Sequence, residues 1–387
     1  MKGRENRLDY ILLGSFFLLL VFGILALASS SLAISQENFG SSTYILFHQI
    51  KFGLLPGILL GGLCFFLPLT VIRKWTPLIL IAVLVLTGMV FLPKIGLSLG
   101  GAARWIKLGA VSFQPSEFLK IAFILYLAAW ISNREFKSSS FSKAKFTLRT
   151  SVSFFERTGI VRLLIPFLII IGLVGLLLIF QPDISTLGVI ILTAILMYFA
   201  ANTRLSHTIF LILAGIVALI GLITISSYRF NRLLTFLKMG MDPMGMDYQI
   251  NQALIAIGSG GIWGRGLGMG IQKFGFLPQP TSDSIFAVLG EETGFVGGLI
   301  LVSLFLIFAW QGFRISRKVS SKFSQLLAVG ITSWIVVQAF VNMGASIGLL
   351  PFTGIPLPFI SYGGSHLIAE LIGVGILLNI SRYSNKS

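Results

Sequence analysis

Charged residues are scarce in this sequence: they make up 11% of its 387 residues, against about 25% in an average soluble domain. Hydrophobic residues make up 55%, and the mean hydropathy is +0.93. A soluble protein of this length needs more polar surface to cover its core, and so apolar a chain does not stay disordered. The composition therefore excludes a disordered protein, argues against a soluble enzyme and predicts a protein that crosses a membrane many times.

Cysteine and histidine are nearly absent as well. The single cysteine, Cys64, lies in an apolar run, so there is no disulfide framework and no cysteine metal site. The three histidines, His48, His207 and His366, are scattered and lack the spacing of metal ligands. No phosphate-binding loop or dinucleotide fingerprint occurs. We therefore expect neither an ATP-driven machine nor an organic cofactor.

Ten apolar runs predict ten membrane-spanning helices. The runs are residues 10–34, 52–71, 76–96, 116–132, 163–180, 184–201, 206–226, 284–310, 324–349 and 364–381. With the N-terminus inside, most of the 29 Lys and Arg residues fall in inner segments, which is the bias of cytoplasmic loops. The sequence thus predicts an all-α polytopic membrane protein with both termini in the cytoplasm. Because loops account for the net charge of +16, we expect no nucleic-acid partner.

We expect residues 1–387 to form one membrane domain with two long loops. Residues 133–162 are rich in Ser, Lys and Phe and lie on the predicted cytoplasmic side. Residues 227–283 lie on the predicted outer side and are rich in glycine, with Gly-Ser-Gly-Gly at 258–261. Long loops with this much structure-setting glycine usually carry function, so the outer loop is a candidate location for a site.

Carboxylates number only 13, so chemistry that needs one has few candidates. An ionisable group within a bilayer is costly and marks either a function or a paired structural site. Asp183 and Asp283 each precede an apolar run, where capping of a helix is the simpler interpretation. Capping does not explain Glu291 and Glu292 in the eighth run, and Glu370 in the tenth run has the least explanation.

Two charged groups lie near the start of the fourth run. Glu117 and Lys120 are three residues apart and so share a helix face. They form either a neutralised pair that makes burial tolerable or a polar site that faces a cavity, with equal weight on the two interpretations. Arg104 and Lys107 lie upstream on the outer side. Because Arg104 lies beside Trp105, an anchor at the membrane interface is the favoured interpretation, and a phosphate clamp is the alternative.

Four ordered segments resemble the SEDS family, named for shape, elongation, division and sporulation. The segments are Gly101–Trp105 with Gln114–Glu117 and Lys120, then Gln181–Asp183, then residues 248–292, and finally Gly354–Ser365. Their order and spacing agree along essentially the whole chain, and ten spans is the architecture that the resemblance implies.

Within the family, residues 248–252, 268–273 and 290–292 resemble the division branch, FtsW, whereas Gly354–Pro358 is nearer to the elongation branch, RodA. The balance favours FtsW. The chain departs from the family pattern around Asp283, where Thr281-Ser282-Asp283-Ser284 stands for the frequent His-Thr-Asp-Phe. The aspartate itself is kept.

The resemblance implies a bacterial peptidoglycan glycosyltransferase for septal wall synthesis, with RodA-type elongation as the alternative. Such an enzyme polymerises lipid II, the undecaprenyl-pyrophosphate-linked disaccharide pentapeptide, into β-1,4-linked strands on the outer face of the cytoplasmic membrane. Its implied partners are a class B penicillin-binding protein, which crosslinks the strands, and other membrane proteins of the division or elongation machinery.

The resemblance also assigns roles to residues. Asp283 would take the proton of the attacking sugar hydroxyl. Arg104 and Lys120, with Lys107 as a weaker candidate, would meet the charge of the leaving pyrophosphate, while Glu117 would hold Lys120 or help to bind a metal. Mg²⁺ or Mn²⁺ suits carboxylate and phosphate oxygens, although the sequence contains no recognisable all-protein cage for either ion.

The last motif, which holds Ser361, Gly363 and Gly364, is expected to contribute to substrate binding. Together with Pro356 and Pro358 it predicts either a broken re-entrant segment before the last span or a plain outer loop, with equal weight. Two other functions stay open: a lipid II flippase or transporter, and a non-catalytic scaffold of the division machinery. Charges that cluster toward the outer side, and the lack of an inverted repeat, favour the enzyme over the transporter.

Overall fold

The computed structural model describes residues 8–93, 95–99, 102–108, 111–141, 164–201, 203, 205–224, 230, 236 and 247–384. Within these residues, helices predominate. In the first half of the chain they are α1 (Tyr10–Ser30), α2 (Leu32–Phe39), α3 (Tyr44–Phe66), α4 (Leu69–Met89), α5 (Pro115–Phe141), α6 (Ile165–Phe180) and α7 (Ile184–Ala200). In the second half they are α8 (Leu205–Thr224), α9 (Asp247–Gly260), α10 (Ile285–Lys318), α11 (Lys322–Ser346) and α12 (Gly364–Ser381).

The predicted polytopic helical architecture is confirmed. Eight helices in the described part of the chain are long and apolar enough to cross a membrane: α1, α3, α4, α5, α8, α10, α11 and α12. Two more apolar helices, α6 and α7, are shorter, with 16 and 17 residues. These ten helices correspond in order to the ten predicted runs.

The predicted bounds of the second and third spans were wrong. We expected residues 52–71 and 76–96, whereas α3 is Tyr44–Phe66 and α4 is Leu69–Met89. Hydropathy placed the boundary at the cations Arg73 and Lys74, but Pro68 is the residue before α4. Proline disfavours helical backbone in the residue before it, so the chain turns there and the two cations lie within the first turns of α4.

The two long loops are only partly described. Residues 133–141 of the predicted cytoplasmic loop continue α5, and residues 142–162 lie outside the described residues. In the predicted outer loop, residues 247–260 form α9, a helix that we did not predict. Most of residues 227–246 lie outside the described part of the chain.

A small antiparallel sheet interrupts the helical architecture and was not predicted. Strands β1 (Gly96–Leu99), β2 (Ala102–Leu108) and β3 (Val111–Phe113) lie in that order. Leu99 pairs with Ala102 and Leu108 with Val111, so each connection has two residues. Gly-Gly between two short runs is a hairpin signal. The sequence therefore carried a local signal for the first of these two hairpins.

The chain divides into two compact units. The first unit is Met1–Phe65, Ile216–Gly312 and Ile335–Leu378, and the second is Phe66–Gly215, Phe313–Trp334 and Asn379–Ser387. In the first unit, α3 and α12 approach closely: a Cβ on Gly375 would lie 2.1 Å from the carbonyl oxygen of Gly61. Small residues let membrane helices pack backbone to backbone. In the second unit, Pro115–Asn133 of α5 is buried over most of its length.

Candidate active site

Asp283 lies in the turn that leads into α10, in the first unit. The turn is closed by the main-chain N–H groups of Ser282 and Ser284, which both donate to the carbonyl oxygen of Gln279 at 3.2 Å. Ser284, rather than Asp283, immediately precedes Ile285, the first residue of α10. The Asp283 side chain is half-buried. The turn therefore holds a partly accessible carboxylate just before the N-terminal end of α10.

Residues 352–363 cover this turn. The N–H of Tyr362 donates to the carbonyl oxygen of Thr281 at 2.8 Å, and the Ser361 hydroxyl donates to that of Ser282 at 2.6 Å. The same hydroxyl accepts the N–H of Leu357 at 2.8 Å. Ser361, predicted to bind substrate, thus has its hydroxyl engaged with protein groups.

The covering segment is non-helical yet buried. Leu357, Ile360 and Ser361 are each at most 1% exposed. Non-helical backbone in a membrane protein is tolerated where it is buried in protein or lines a cavity. This burial favours the broken segment over the plain loop of the two interpretations that the sequence left open.

Three glycines lie where the covering segment and the start of α12 meet their neighbours. Gly354 has a φ of +67°, and a Cβ there would lie 3.4 Å from Oδ2 of Asp283. At Gly363 the N–H donates to Oε1 of Gln49 at 3.0 Å. A Cβ on Gly364 would lie 2.9 Å from the carbonyl oxygen of Phe52. Gly363 and Gly364, predicted as substrate-binding, fasten the segment to α3.

Glu370 and His366, which the sequence left without a role, hold the same segment. Glu370 is fully buried and accepts the N–H of Phe359 at 2.8 Å, where φ is +65°. Such a φ is strained for a residue with a side chain, so this hydrogen bond helps to maintain it. His366 contacts the carbonyl oxygen of Ser361 through Nε2 at 2.9 Å.

Glu291 and Glu292 anchor the loop that leads to the Asp283 turn. Glu291 accepts the N–H groups of Ile271 and Gln272 at 2.9 and 3.1 Å. Glu292 pairs with Lys273 at 2.7 Å and accepts the Ser29 hydroxyl at 2.6 Å. Lys273 and Glu292 have side chains with no exposed surface. A buried charge needs such a partner, and this explains the two acids that capping could not.

Helix α10 is broken next to these acids. Gly294 has a φ of +67° and a ψ of −164°, which is not helical. Residues 261–266 bridge the break. The carbonyls of Glu291 and Glu292 accept N–H groups from Arg265 and Gly266 at 3.0 Å. On the other side of the break, residues 295 and 296 donate to residues 261 and 262. Broken helices in membranes occur where backbone groups find such substitute partners.

In the second unit, β2 presents the predicted cations Arg104 and Lys107. Arg104 is half-buried, and its guanidinium donates to the carbonyl oxygens of Gln181, at 3.3 Å, and of Pro182. It therefore braces the turn before α7 in addition to facing solvent. Lys107 is exposed. Asp183 caps α7 as predicted, since its Oδ1 accepts the N–H of Thr186 at 3.4 Å.

Glu117 and Lys120 form an ion pair in α5, also in the second unit. Their charged atoms are 2.7 Å apart, and the side chains are 4% and 2% exposed. The Lys120 ammonium also lies 5.4 Å from the centre of the Trp334 ring. This geometry favours the interpretation of a neutralised buried pair. A cation–π contact with indole adds to the stabilisation of the ammonium.

Within the described residues, no group of three or more His, Cys, Asp and Glu side chains is placed to hold a metal. The predicted residues are divided between the two units: Asp283, Ser361, Gly363 and Gly364 lie in the first unit, and Arg104, Lys107, Glu117 and Lys120 lie in the second. Lys273, Ser29 and Asn342 were not predicted. Asn342, a polar residue within an apolar run, donates to the carbonyl oxygen of Asp283 at 3.0 Å. A polar residue within an apolar run is unusual, and this was the sequence signal that could have identified Asn342.

The fold and these buried charges define a polytopic membrane protein with a broken helix and with a buried non-helical segment that covers the turn of a half-buried carboxylate. The sequence model of the FtsW/RodA/SpoVE family, described as "Cell cycle protein", matches residues 10–386. The chain is 38% identical to stage V sporulation protein E of Bacillus subtilis, over 99% of this chain and 100% of that protein. It is 34% identical to a probable peptidoglycan glycosyltransferase FtsW of a Geobacter species, over 98% of each.

Solved structures share the fold. A chain of a peptidoglycan synthase complex superposes with a TM-score of 0.72 at 24% identity, over 98% of this chain and 99% of that chain. Rod shape determining protein RodA of Thermus thermophilus superposes with a TM-score of 0.65 at 24% identity, over 98% of each. The chain belongs to the FtsW/RodA/SpoVE family, which is the SEDS family that the motifs resemble.

Proposed function

We propose that this protein is a peptidoglycan glycosyltransferase that polymerises lipid II into β-1,4-linked glycan strands. The observation that carries the proposal is the 34–36% identity, over nearly the full length of the chain, to relatives named as probable peptidoglycan glycosyltransferase FtsW. These relatives favour septal wall synthesis over RodA-type elongation. The relative named stage V sporulation protein E adds a role in sporulation as a third alternative.

In the proposed reaction, a sugar hydroxyl attacks the anomeric carbon of a second lipid-linked sugar. A new carbon–oxygen bond forms as the bond to the pyrophosphate breaks, and Asp283 takes the hydroxyl proton. A positioned base contributes about 10²–10⁴-fold to such a step. A single displacement inverts the α-linked donor to the β-linkage. The buried hydrogen bonds around the Asp283 turn support this role, because a base must be held in a fixed geometry.

The leaving pyrophosphate needs cations. The proposal assigns Arg104 and Lys107 to it, since both have exposed surface, and gives Lys120 the same task as predicted from the motif. In the present conformation Lys120 is buried against Glu117, so it would need to be uncovered to touch a phosphate. Mg²⁺ or Mn²⁺ is proposed to accompany the pyrophosphate. Because no three-ligand group was found among the described residues, the phosphate oxygens would supply most of its ligands.

We place the reaction on the outer face of the bacterial cytoplasmic membrane, as the family resemblance implies. The distribution of cations predicts that the loop with Asp283 lies on the outer side. The proposed partner is a class B penicillin-binding protein, together with other membrane proteins of the division machinery. The structural likeness to a chain of a peptidoglycan synthase complex that couples polymerization with crosslinking supports this partner.

A glycan-ladder assay tests the function. Purified protein, with its cognate class B penicillin-binding protein, is mixed with labelled lipid II and Mg²⁺ or Mn²⁺. We expect a ladder from the wild type and from Glu37→Gln, a control at an exposed acid. We expect none from Asp283→Asn, which keeps the shape of the side chain and removes its basicity.

Each other outcome has a distinct meaning. Equal ladders from wild type and Asp283→Asn would reject Asp283 as the base. A wild type without a ladder, beside an active relative in the same assay, would favour a scaffold. If lipid II then crossed the bilayer of vesicles that contain the protein, the transporter would be favoured instead.

A further inference from the structure

Asn342 joins the Asp283 turn to the segment that covers it. It lies in α11 and is 3% exposed. Its Nδ2 donates to the carbonyl oxygen of Asp283 at 3.0 Å and to that of Ile355 at 2.7 Å. Both hydrogens of the side-chain amide are therefore used, and one group fixes the distance between two non-helical segments.

This contact completes the support of the turn. The carbonyls of Thr281 and Ser282 are held from the covering segment, and that of Asp283 is held by Asn342. Three consecutive peptide groups thus have fixed orientations, and these set the direction of the Cα–Cβ bond of Asp283. Ile355 follows Gly354, where a Cβ would lie 3.4 Å from Oδ2 of Asp283. Loss of Asn342 would release the turn and its neighbour together.

A purely structural role is the competing interpretation, because a buried amide is commonly hydrogen-bonded whatever its function. Gln338, one turn earlier on α11, separates the two interpretations. It is fully buried and donates to the carbonyl oxygen of Pro356 at 3.1 Å. Through this hydrogen bond Gln338 holds the same covering segment, whereas Asn342 contacts both that segment and the Asp283 turn. It is a matched control on the same helix.

We propose that Asn342 is a positioning residue for Asp283, which holds the main chain of the base so that its carboxylate faces the attacking hydroxyl. The proposal rests on the proposed function, in which Asp283 is that base. Misplacement of a reacting group by about 1 Å costs about 10²-fold in rate. A positioning residue should therefore affect kcat and leave substrate affinity largely unchanged.

The test compares Asn342→Ala with Gln338→Ala in the glycan-ladder assay with the complete protein and its partner. We expect Asn342→Ala to lower kcat by about 10–100-fold with KM within about threefold. We expect Gln338→Ala to keep kcat within about threefold, although both variants lose a buried hydrogen bond and some thermal stability. In an Asp283→Glu background, Asn342→Ala should cost less than in the wild type, because the two residues act through one path.

The outcomes separate this proposal from the function beneath it. A wild type without a ladder rejects the proposed function. An active wild type with equal losses in Asn342→Ala and Gln338→Ala overturns the positioning role. If Asn342→Ala does not yield a monodisperse protein, Asn342→Asp, which keeps the shape and replaces the donor nitrogen by oxygen, takes its place. If both variants fail to fold while Gln338→Ala folds, Asn342 is structural and the proposal is rejected.

Discussion

Two buried lysine–glutamate pairs, one in each unit, have the same ion-pair distance of 2.7 Å but join different things. Glu117 and Lys120 lie on one turn of α5. Lys273 lies in the loop before the Asp283 turn, Glu292 lies in α10, and both contact Ser29 of α1. The first pair neutralises two charges that the same helix carries. The second pair ties three separate segments together.

This difference bears on stability and on the site. A buried ion pair gives little net stability, because desolvation offsets the attraction, but removal of one partner leaves an unpaired charge at high cost. For the pair on α5 that cost is local. For Lys273 and Glu292 it comes with the release of the loop from α1 and α10. The long-range pair should therefore matter more to the Asp283 turn.

The largest effect is expected from Lys273→Met. It leaves Glu292 buried without its cation and removes the donor to Ser29 and to the carbonyl oxygen of Gly268. We expect a loss of about 3–5 kcal/mol in the free energy of unfolding. A fall in the melting temperature of the protein in detergent, with loss of the glycan ladder, would be the measured result.

The control for that variant is Lys273→Met combined with Glu292→Met. Replacement of both charges by apolar groups of similar volume should restore much of the stability. It should not restore the ladder fully, since the link to Ser29 stays broken. If Lys273→Met alone were as stable as the wild type, the claim that the buried pair is required for stability would be contradicted.

A smaller loss is expected from Lys120→Met. Glu117 again keeps a buried charge, but it lies in the first turn of α5, where the positive end of the helix dipole stabilises a carboxylate. We expect a loss of about 1–3 kcal/mol in the free energy of unfolding, which is smaller than the loss for Lys273→Met. Thermal melting of the two variants side by side gives the comparison. A larger loss at Lys120 would reverse the ranking of the two pairs.

Exchange of the partners should sharpen the contrast further. Glu117→Lys with Lys120→Glu keeps both charges on one helix face and moves the cation into the first turn, which costs about 1 kcal/mol. Lys273→Glu with Glu292→Lys should have a melting temperature well below that of the wild type. The Ser29 hydroxyl and the Gly268 carbonyl oxygen both accept from the ammonium of a lysine at position 273. Equal tolerance of both exchanges would refute the distinction between a local and a long-range pair.

The same distinction explains what the sequence could predict. Apolar runs gave the ten helices, and spacing along one helix gave the Glu117–Lys120 pair. Asp183 was predicted as a cap because a cap needs only its own helix. In each case the interacting groups are near one another in the chain, so periodicity and position were sufficient.

The remaining parts of the site depend on distant contacts. Lys273 and Ser29 are 244 residues apart, and no local pattern pairs them. Glu370 was recognised as unusual in an apolar run, but no local pattern pairs it with the main-chain N–H of Phe359, which it accepts. Burial of a polar side chain identifies such residues, and only the tertiary structure identifies what they hold.

The smallest effect is expected from Arg265→Ala, at the edge of the long-range cluster. Arg265 lies 3.5 Å from Glu291 and is 38% exposed, so solvent screens this pair. Glu291 keeps the N–H groups of Ile271 and Gln272 after the substitution. We expect the free energy of unfolding to change by about 0–1 kcal/mol and the glycan ladder to match that of the wild type. If Arg265→Ala were as damaging as Lys273→Met, the strength of the cluster would come from its exposed edge, and burial would not be what separates the two pairs.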